Sequence, residues 1–237
     1  MAGVVTANSR VTIRGGRTTI AYGSGANQID ALTVSGPGAL DITNNKLAVN
    51  FSSPGADPAA TIRGYLHTGY NNGTWTGPGI GSSAAALNPG LYAVGYADGN
   101  VDQGTAASAN QVLVEYTLAG DANLDGTVNF ADLLAVAQNF NHALDTQGNA
   151  IDWADGDFNY DGVVNFADLL LVAQNFNQTI SAGQLEELPG SFSAAWNLAL
   201  AEVQSSQSNN VPEPASFGLL AIGGTGLLSR RRRRLSQ

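Results

Sequence analysis

A multidomain α+β chain is predicted from three observations. Residues 1–118 are glycine-rich and carry short aliphatic and β-branched runs. Two nearly identical 22-residue segments follow, each a polar loop running into a helix with apolar periodicity. Near the C-terminus an apolar stretch abuts five consecutive arginines. The boundaries that result are a β-rich region at 1–118, a paired loop–helix module at 119–178, a helical extension at 179–203, a linker at 204–210 and a terminal segment at 211–234.

In the first region the runs Leu32–Val34, Leu40–Ile42 and Leu47–Val49 recur every seven or eight residues, with Gly or Asn-Asn between them. That period fits strands at the edge of a β-solenoid or strands of a small sandwich. A helix is predicted from Pro58 through Leu66, with Asp57 as N-cap and Pro58 at N1, where its missing N–H costs nothing. A Gly-rich loop containing Trp75 follows. Leu91–Tyr96 and Gln111–Leu118 then read as two further strands, the second feeding directly into the first repeat.

The repeats are GDANLDGTVNFADLLAVAQNFN from Gly120 and GDFNYDGVVNFADLLLVAQNFN from Gly156, identical at 18 of 22 positions and offset by 36 residues. Counting from Asp121 or Asp157, Asp, Asn and Asp fall at loop positions 1, 3 and 5, Gly at 6, Asn at 9 and Asp at 12. Calcium takes six to eight oxygen ligands, and a twelve-residue loop supplies them from alternate side chains and one backbone carbonyl. The first loop offers Asp121, Asn123, Asp125, the carbonyl of Thr127, Asn129 and Asp132. The second offers Asp157, Asn159, Asp161, the carbonyl of Val163, Asn165 and Asp168. Three carboxylates gathered in one short loop repel one another unless a cation lies between them, so two calcium ions are predicted, one per loop. Asp, Asn and Gly also build ordinary turns, but duplication ahead of the same helix favours the metal.

With Asp rather than Glu at position 12, the pair resembles the dockerin type I repeat. The resemblance covers Gly120 to about Asn177 and implies a paired F-hand, each half one loop and one helix packed with pseudo-twofold symmetry. The periodicity places Val128, Leu133, Val136 and Phe140 on a buried side with Val164, Leu169, Val172 and Phe176, and leaves Phe130, Leu134 and Ala137 on a second face. The resemblance further implies a cohesin-like partner, contacted at loop positions 10 and 11 and helix positions near 17 and 18. Those positions hold Phe130, Ala131, Ala137 and Gln138, then Phe166, Ala167, Ala173 and Gln174, where hydroxyl and basic residues are frequent in the family. Two readings stay open for them: a partner face, or intramolecular packing, which their apolar character favours.

The terminal segment contains Pro212, Glu213 and Pro214, an apolar stretch from Ala215 to Leu228, and Arg230, Arg231, Arg232, Arg233 and Arg234. About 20 apolar residues are needed for a stable span, and basic residues stay on the cytoplasmic side. The arrangement resembles the PEP-CTERM sorting signal of Gram-negative bacteria, which implies recognition and cleavage by an exosortase, transient inner-membrane anchoring and delivery to the cell surface or extracellular matrix. An upstream leader is expected as well, but MAGVVTANSRVTIRGGRTTIAYG has no charged start followed by an apolar core. We therefore read the chain as the C-terminal part of a longer exported passenger. The phrasing of residues 33–49 and 69–85 and of the approach to the first repeat also resembles the segment preceding dockerin-type repeats in large secreted planctomycete proteins.

Charge agrees with that picture. No Lys or Arg occurs between Gly64 and Ser229, and the net charge is −9 with half of the ten basic residues in the terminal arginine run. Such a surface repels phosphate backbones, so no nucleic-acid partner is expected. The chain has no cysteine, which excludes disulfides and thiolate metal sites. His67 and His142 are the only histidines, and neither stands at a telling distance from a nucleophile or carboxylate. Asp145, Gln147 and Asn149 imitate half a calcium loop without its glycine. The sequence thus points to a non-catalytic, exported, calcium-binding surface or matrix protein. The alternative is the C-terminal fragment of a secreted polysaccharide-degrading glycoside hydrolase, docked to a scaffold through its dockerin.

Overall fold

A computed structural model describes residues 9–145, 148–177 and 190–208. The chain divides into two units, 1–201 and 202–237, and only residues 202–208 of the second are described.

The first unit begins as a parallel coil. Three strands, β1 (Arg10–Ile13), β2 (Arg17–Thr19) and β3 (Ala26–Ile29), form one turn, and β4 (Ala31–Val34), β5 (Ala39–Asp41) and β6 (Lys46–Asn50) form the next. Each strand of the first turn pairs in parallel with its counterpart in the second: Arg10 faces Ala31, Arg17 faces Ala39 and Ala26 faces Lys46. The recurrence of seven or eight residues read from the sequence is therefore the spacing between the sides of one turn, and three sides make one repeat. Ile13, Ile29, Leu32, Val34, Leu40, Ile42, Leu47 and Val49 are all buried. β7 (Gly79–Gly81) adds a third layer by pairing in parallel with β5.

The coil corner between β5 and β6 is held by Asn45, which is buried. Its amide Nδ2 donates to the carbonyl of Ala21 at 2.8 Å, to that of Ile42 at 3.0 Å and to Thr43 Oγ1 at 2.7 Å. Its Oδ1 accepts from the Gly25 amide at 3.0 Å and from Ser24 Oγ at 3.1 Å. One side chain thus satisfies backbone groups of both turns, which a buried corner requires because water cannot reach them.

Parallel growth stops at β6. Its free edge pairs in antiparallel fashion with β9 (Gln111–Leu118), and β9 pairs with β8 (Tyr92–Asp98). Lys46 lies opposite Glu115 in that ladder and forms an ion pair with it. Between β6 and β7 the helix α1 (Ala59–Tyr70) packs on β7 and buries Ile62 and Leu66. Its start corrects the sequence reading. Pro58 is the N-cap residue and Asp57 sits one position further out, accepting the Ala59 amide at 2.8 Å. The helix also runs one turn past Leu66, because Tyr70 has a partner in Trp75, with ring centres 5.1 Å apart.

The repeats contribute α2 (Phe130–Asn139) and α3 (Phe166–Asn175), and α4 follows at Gly190–Ser208. Of the helical extension expected at 179–203, the described part is helical from Gly190 onward, and residues 204–208 are helical rather than linker. Phe192, Trp196 and Ala199 are its buried residues, while Leu200 and Val203 are half-buried. Phe140 meets Phe192 edge to face at 5.1 Å, and Phe176 meets Trp196 at 5.2 Å, so α4 covers equivalent ends of the two repeats.

Removal of the Asn45 amide leaves several buried backbone groups without partners. Asn45→Ala is expected to cost about 2–3 kcal/mol, read as a lowered midpoint of chemical unfolding with unchanged slope.

Candidate metal centre

Each loop is fixed at both ends by the same device. Asn129 caps α2, its Oδ1 accepting from the Ala131 amide at 2.8 Å, and Asp132 reaches back to the Asn129 amide at 2.8 Å. The other oxygen of Asp132 accepts the Ala122 amide at 2.8 Å, so position 12 joins the start of the loop to the start of the helix. In the second loop Asn165 accepts from the Ala167 amide at 2.8 Å, and Asp168 binds the amides of Asn165 at 3.0 Å and Phe158 at 2.9 Å. This is a capping box with acidic residues at the positive end of the helix. Position 1 closes the turn: Asp121 accepts the amides of Asp125 at 3.2 Å and Gly126 at 3.0 Å, and Asp157 those of Asp161 and Gly162, both at 3.0 Å.

The two halves lock each other. Asn139 Nδ2 donates to the carbonyl of Asp155 at 3.1 Å, just before the second loop, and Asn175 Nδ2 donates to the carbonyl of Ala119 at 2.8 Å, just before the first. At the same crossings, a Cβ on Gly120 would lie 3.0 Å from Val172 Cα, and one on Gly156 would lie 2.8 Å from Val136 Cγ2. Glycine at these places lets each loop press against the opposite helix. The predicted buried side is as expected at Val128, Leu133, Val136, Val164, Leu169 and Val172, whereas Phe140 and Phe176 are half-buried.

Position 4 of each loop was not singled out by the sequence reading. Leu124 and Tyr160 both adopt positive φ, 61° and 60°, and both are buried. They insert toward β8. The Tyr160 hydroxyl donates to the carbonyl of Val94 at 2.5 Å, and its ring lies within 6.2 Å of Tyr70, Trp75, Tyr96 and Trp153. Trp153, between the repeats, donates its indole N–H to the carbonyl of Asp121 at 2.7 Å. A Cβ on Gly95 would come within 2.6 Å of Trp153 and 2.7 Å of Leu124, so the absence of a side chain on β8 admits both.

The electrostatics of the loops are dominated by burial. Asp121, Asp132, Asp157 and Asp168 have no exposed surface. Burial first, and then repulsion from Asp121, raises Asp132 to about 6. Burial and repulsion from Asp157 raise Asp168 to about 7, and Asp157 itself is raised to about 6 by burial and by Asp161. Burial also raises Asp121. Asp125 is exposed: the little burial it has opposes ionisation, but hydrogen bonds from the Thr127 hydroxyl and amide hold it below the usual range.

Every predicted ligand residue therefore lies in one of two equivalent loops, and every donor is a hard oxygen. Among the described residues no group of three or more His, Cys, Asp or Glu side chains converges to hold a metal ion; the loop carboxylates spend their oxygens on backbone amides. The donor set nonetheless suits calcium, because buried carboxylates that repel one another are stabilised by a hard dication and by little else. Asp145 accepts the Asn149 backbone amide at 2.7 Å and its side-chain amide at 2.8 Å.

Of the eight residues assigned to a partner face, Ala131, Gln138, Ala167 and Gln174 are exposed, Phe130 and Phe166 are half-buried, and Ala137 and Ala173 are buried. The two alanines are thus withdrawn by packing within the chain. Pro212, Glu213, Pro214 and the five arginines lie outside the described residues.

Comparison with known families agrees with the geometry. Residues 119–177 match the dockerin type I domain, and residues 210–234 match the PEP-CTERM protein-sorting motif. No curated protein and no solved structure matches the chain. The chain thus carries a domain of a calcium-binding class, followed by an exosortase sorting signal that marks an exported protein. No helix among the described residues is long and apolar enough to cross a membrane.

Two outcomes follow. Gly95→Ala is expected to displace Trp153 and Leu124 at a cost of about 2 kcal/mol, seen as a lowered melting temperature with a blue or red shift of tryptophan emission. In calcium-free buffer the raised carboxylates bind more protons folded than unfolded. Stability is then highest near pH 4 and declines as pH rises through about 6 to 7; with calcium in excess the trend reverses, because binding needs ionised ligands. Thermal melts at pH 5 and pH 8, with calcium and with chelator, read the sign directly.

Proposed function

We propose that this is a non-catalytic, exported surface or matrix protein, in which a paired F-hand takes two calcium ions and braces the end of a β-coil passenger. The observation that carries this reading is the insertion of Leu124 and Tyr160, one from each loop, into the core against β8. A loop whose fourth residue is a core residue ties metal occupancy to the stability of the whole unit. Calcium, when bound, supplies charge neutralisation. Asp121, Asn123, Asp125, Asn129 and Asp132, with the Thr127 carbonyl, would hold one ion; Asp157, Asn159, Asp161, Asn165 and Asp168, with the Val163 carbonyl, would hold the other.

The protein's own residues preorganise these sites. The capping-box hydrogen bonds of Asp132 and Asp168 set position 12, and the amides after position 4 orient position 1. At 100 times the Kd, calcium adds about 2.7 kcal/mol per site, which suits a chain without disulfides. The sorting signal supports exosortase processing near Pro212–Pro214, with transient anchoring through the adjoining apolar stretch and arginines.

A second reading, an enzyme tail docked to a scaffold, draws support from the dockerin match, because a cohesin-type partner is implied by that domain. Ala131, Gln138, Ala167 and Gln174 are the exposed positions such a partner would meet.

Calorimetric titration of the full chain with calcium is the test. Two ions per chain are expected, with a rise in melting temperature of several degrees. Asp132→Ala and Asp168→Ala should each remove one ion, and the double variant should bind none. An undiminished stoichiometry in the double variant would overturn the assignment.

A further inference from the structure

The two loops share their ligand residues and most of their internal hydrogen bonds, yet the position 1 carboxylate has different surroundings in each. In the first, the position 1 carboxylate of Asp121 accepts a hydrogen bond from the neutral hydroxyl of Thr117, on β9. In the second, Oδ2 of Asp157 faces the guanidinium of Arg63 from α1, 3.8 Å away. The same guanidinium nitrogen lies 3.6 Å from where a Cβ on Gly162 would sit, which places it over the glycine turn of the loop. Arg63 is 27% exposed and Asp157 not at all. The other ion pairs among the described residues, Arg17 with Asp41 and Lys46 with Glu115, lie in the β region, and neither loop has another basic partner there. Arg63 is also the last basic residue before the run from Gly64 to Ser229 that has none.

We propose that Arg63 is a resident cation of the second loop, which makes that loop the weaker of the two calcium sites and couples its occupancy to helix α1. The inference rests on the reading that both loops take calcium. A guanidinium beside a position 1 carboxylate repels an incoming dication and competes for its oxygen, so the metal binds only as Arg63 swings away from Asp157. The first loop, whose corresponding oxygen accepts the Thr117 hydroxyl and the Gly126 amide and faces no guanidinium, carries no such penalty. The chain therefore fills in order, first loop and then second, although the ligand sets match residue for residue at positions 1, 3, 5, 9 and 12.

The test uses the full chain with one loop disabled at a time. Asp168→Asn reports the first loop alone, and Asp132→Asn reports the second. Calcium titration of both, each with and without Arg63→Gln, should show the second loop binding roughly tenfold more weakly. Arg63→Gln should close most of that gap and leave the first loop unchanged. A second measurement needs no arginine variant: raising the salt from about 20 to about 500 mM should narrow the difference between the loops, because the guanidinium is partly exposed and therefore screened. Equal affinities in low salt, or a second loop that binds more weakly still once Arg63 is replaced, would overturn the inference while leaving the calcium reading intact. Absence of calcium binding at both loops would overturn the two together.

Discussion

Everything in the middle of this molecule depends on keeping four carboxylates, those of Asp121, Asp132, Asp157 and Asp168, out of water and close to one another in pairs. Desolvation and mutual repulsion both oppose ionisation there. Backbone amides offset part of that cost, and they do so by imposing a shape: a carboxylate that accepts amides from the start of the loop and the start of the helix fixes the distance between the two. The loop–helix geometry is in this sense the solution to an electrostatic problem, one that the proposed calcium would complete.

The same economy explains why the module is fused to its neighbour rather than strung beside it. Loop position 4 must adopt a left-handed backbone, which projects its side chain away from the ligands. In both halves that side chain is large and buried, and in both it finds β8. Trp153 fills the space between, with its N–H satisfied by the Asp121 carbonyl. Gly95 is the concession made by the sheet. Predicted ligands and core residues thus alternate along the same few residues, so that ordering one set orders the other.

Much of this was legible in the sequence, and the reasons are local. Ligand spacing, the glycine at position 6 and the helical periodicity are each set within a dozen residues, so the loops, α2 and α3 could be read directly. Strands β8 and β9 followed from their long apolar runs. The coil was legible only as a period, because β1, β2 and β3 are short and largely exposed and their partners lie some twenty residues away. The residues that escaped notice act across distance. Arg63 reaches the second loop from α1, and only its position at the edge of a long stretch devoid of basic residues marked it. Asn139 and Asn175 are identical in both copies, a signal that repetition alone could have raised, but their role appears only when each is seen to reach into the opposite half.

That reciprocity has a consequence for what a half-module is. Asn139 satisfies a carbonyl at the threshold of the second loop and Asn175 one at the threshold of the first, as residues do across the two-fold axis of a symmetric dimer. One copy alone would keep only the amide's bond within its own helix, Asn139 to Ala135 or Asn175 to Leu171, and would have a helix face with no glycine to press against it. It could recover both only by finding another copy of itself. The duplicated segment is therefore a homodimer made permanent by a covalent link, with the concentration dependence of assembly removed and the freedom to let the two partners drift apart in charge gained in exchange.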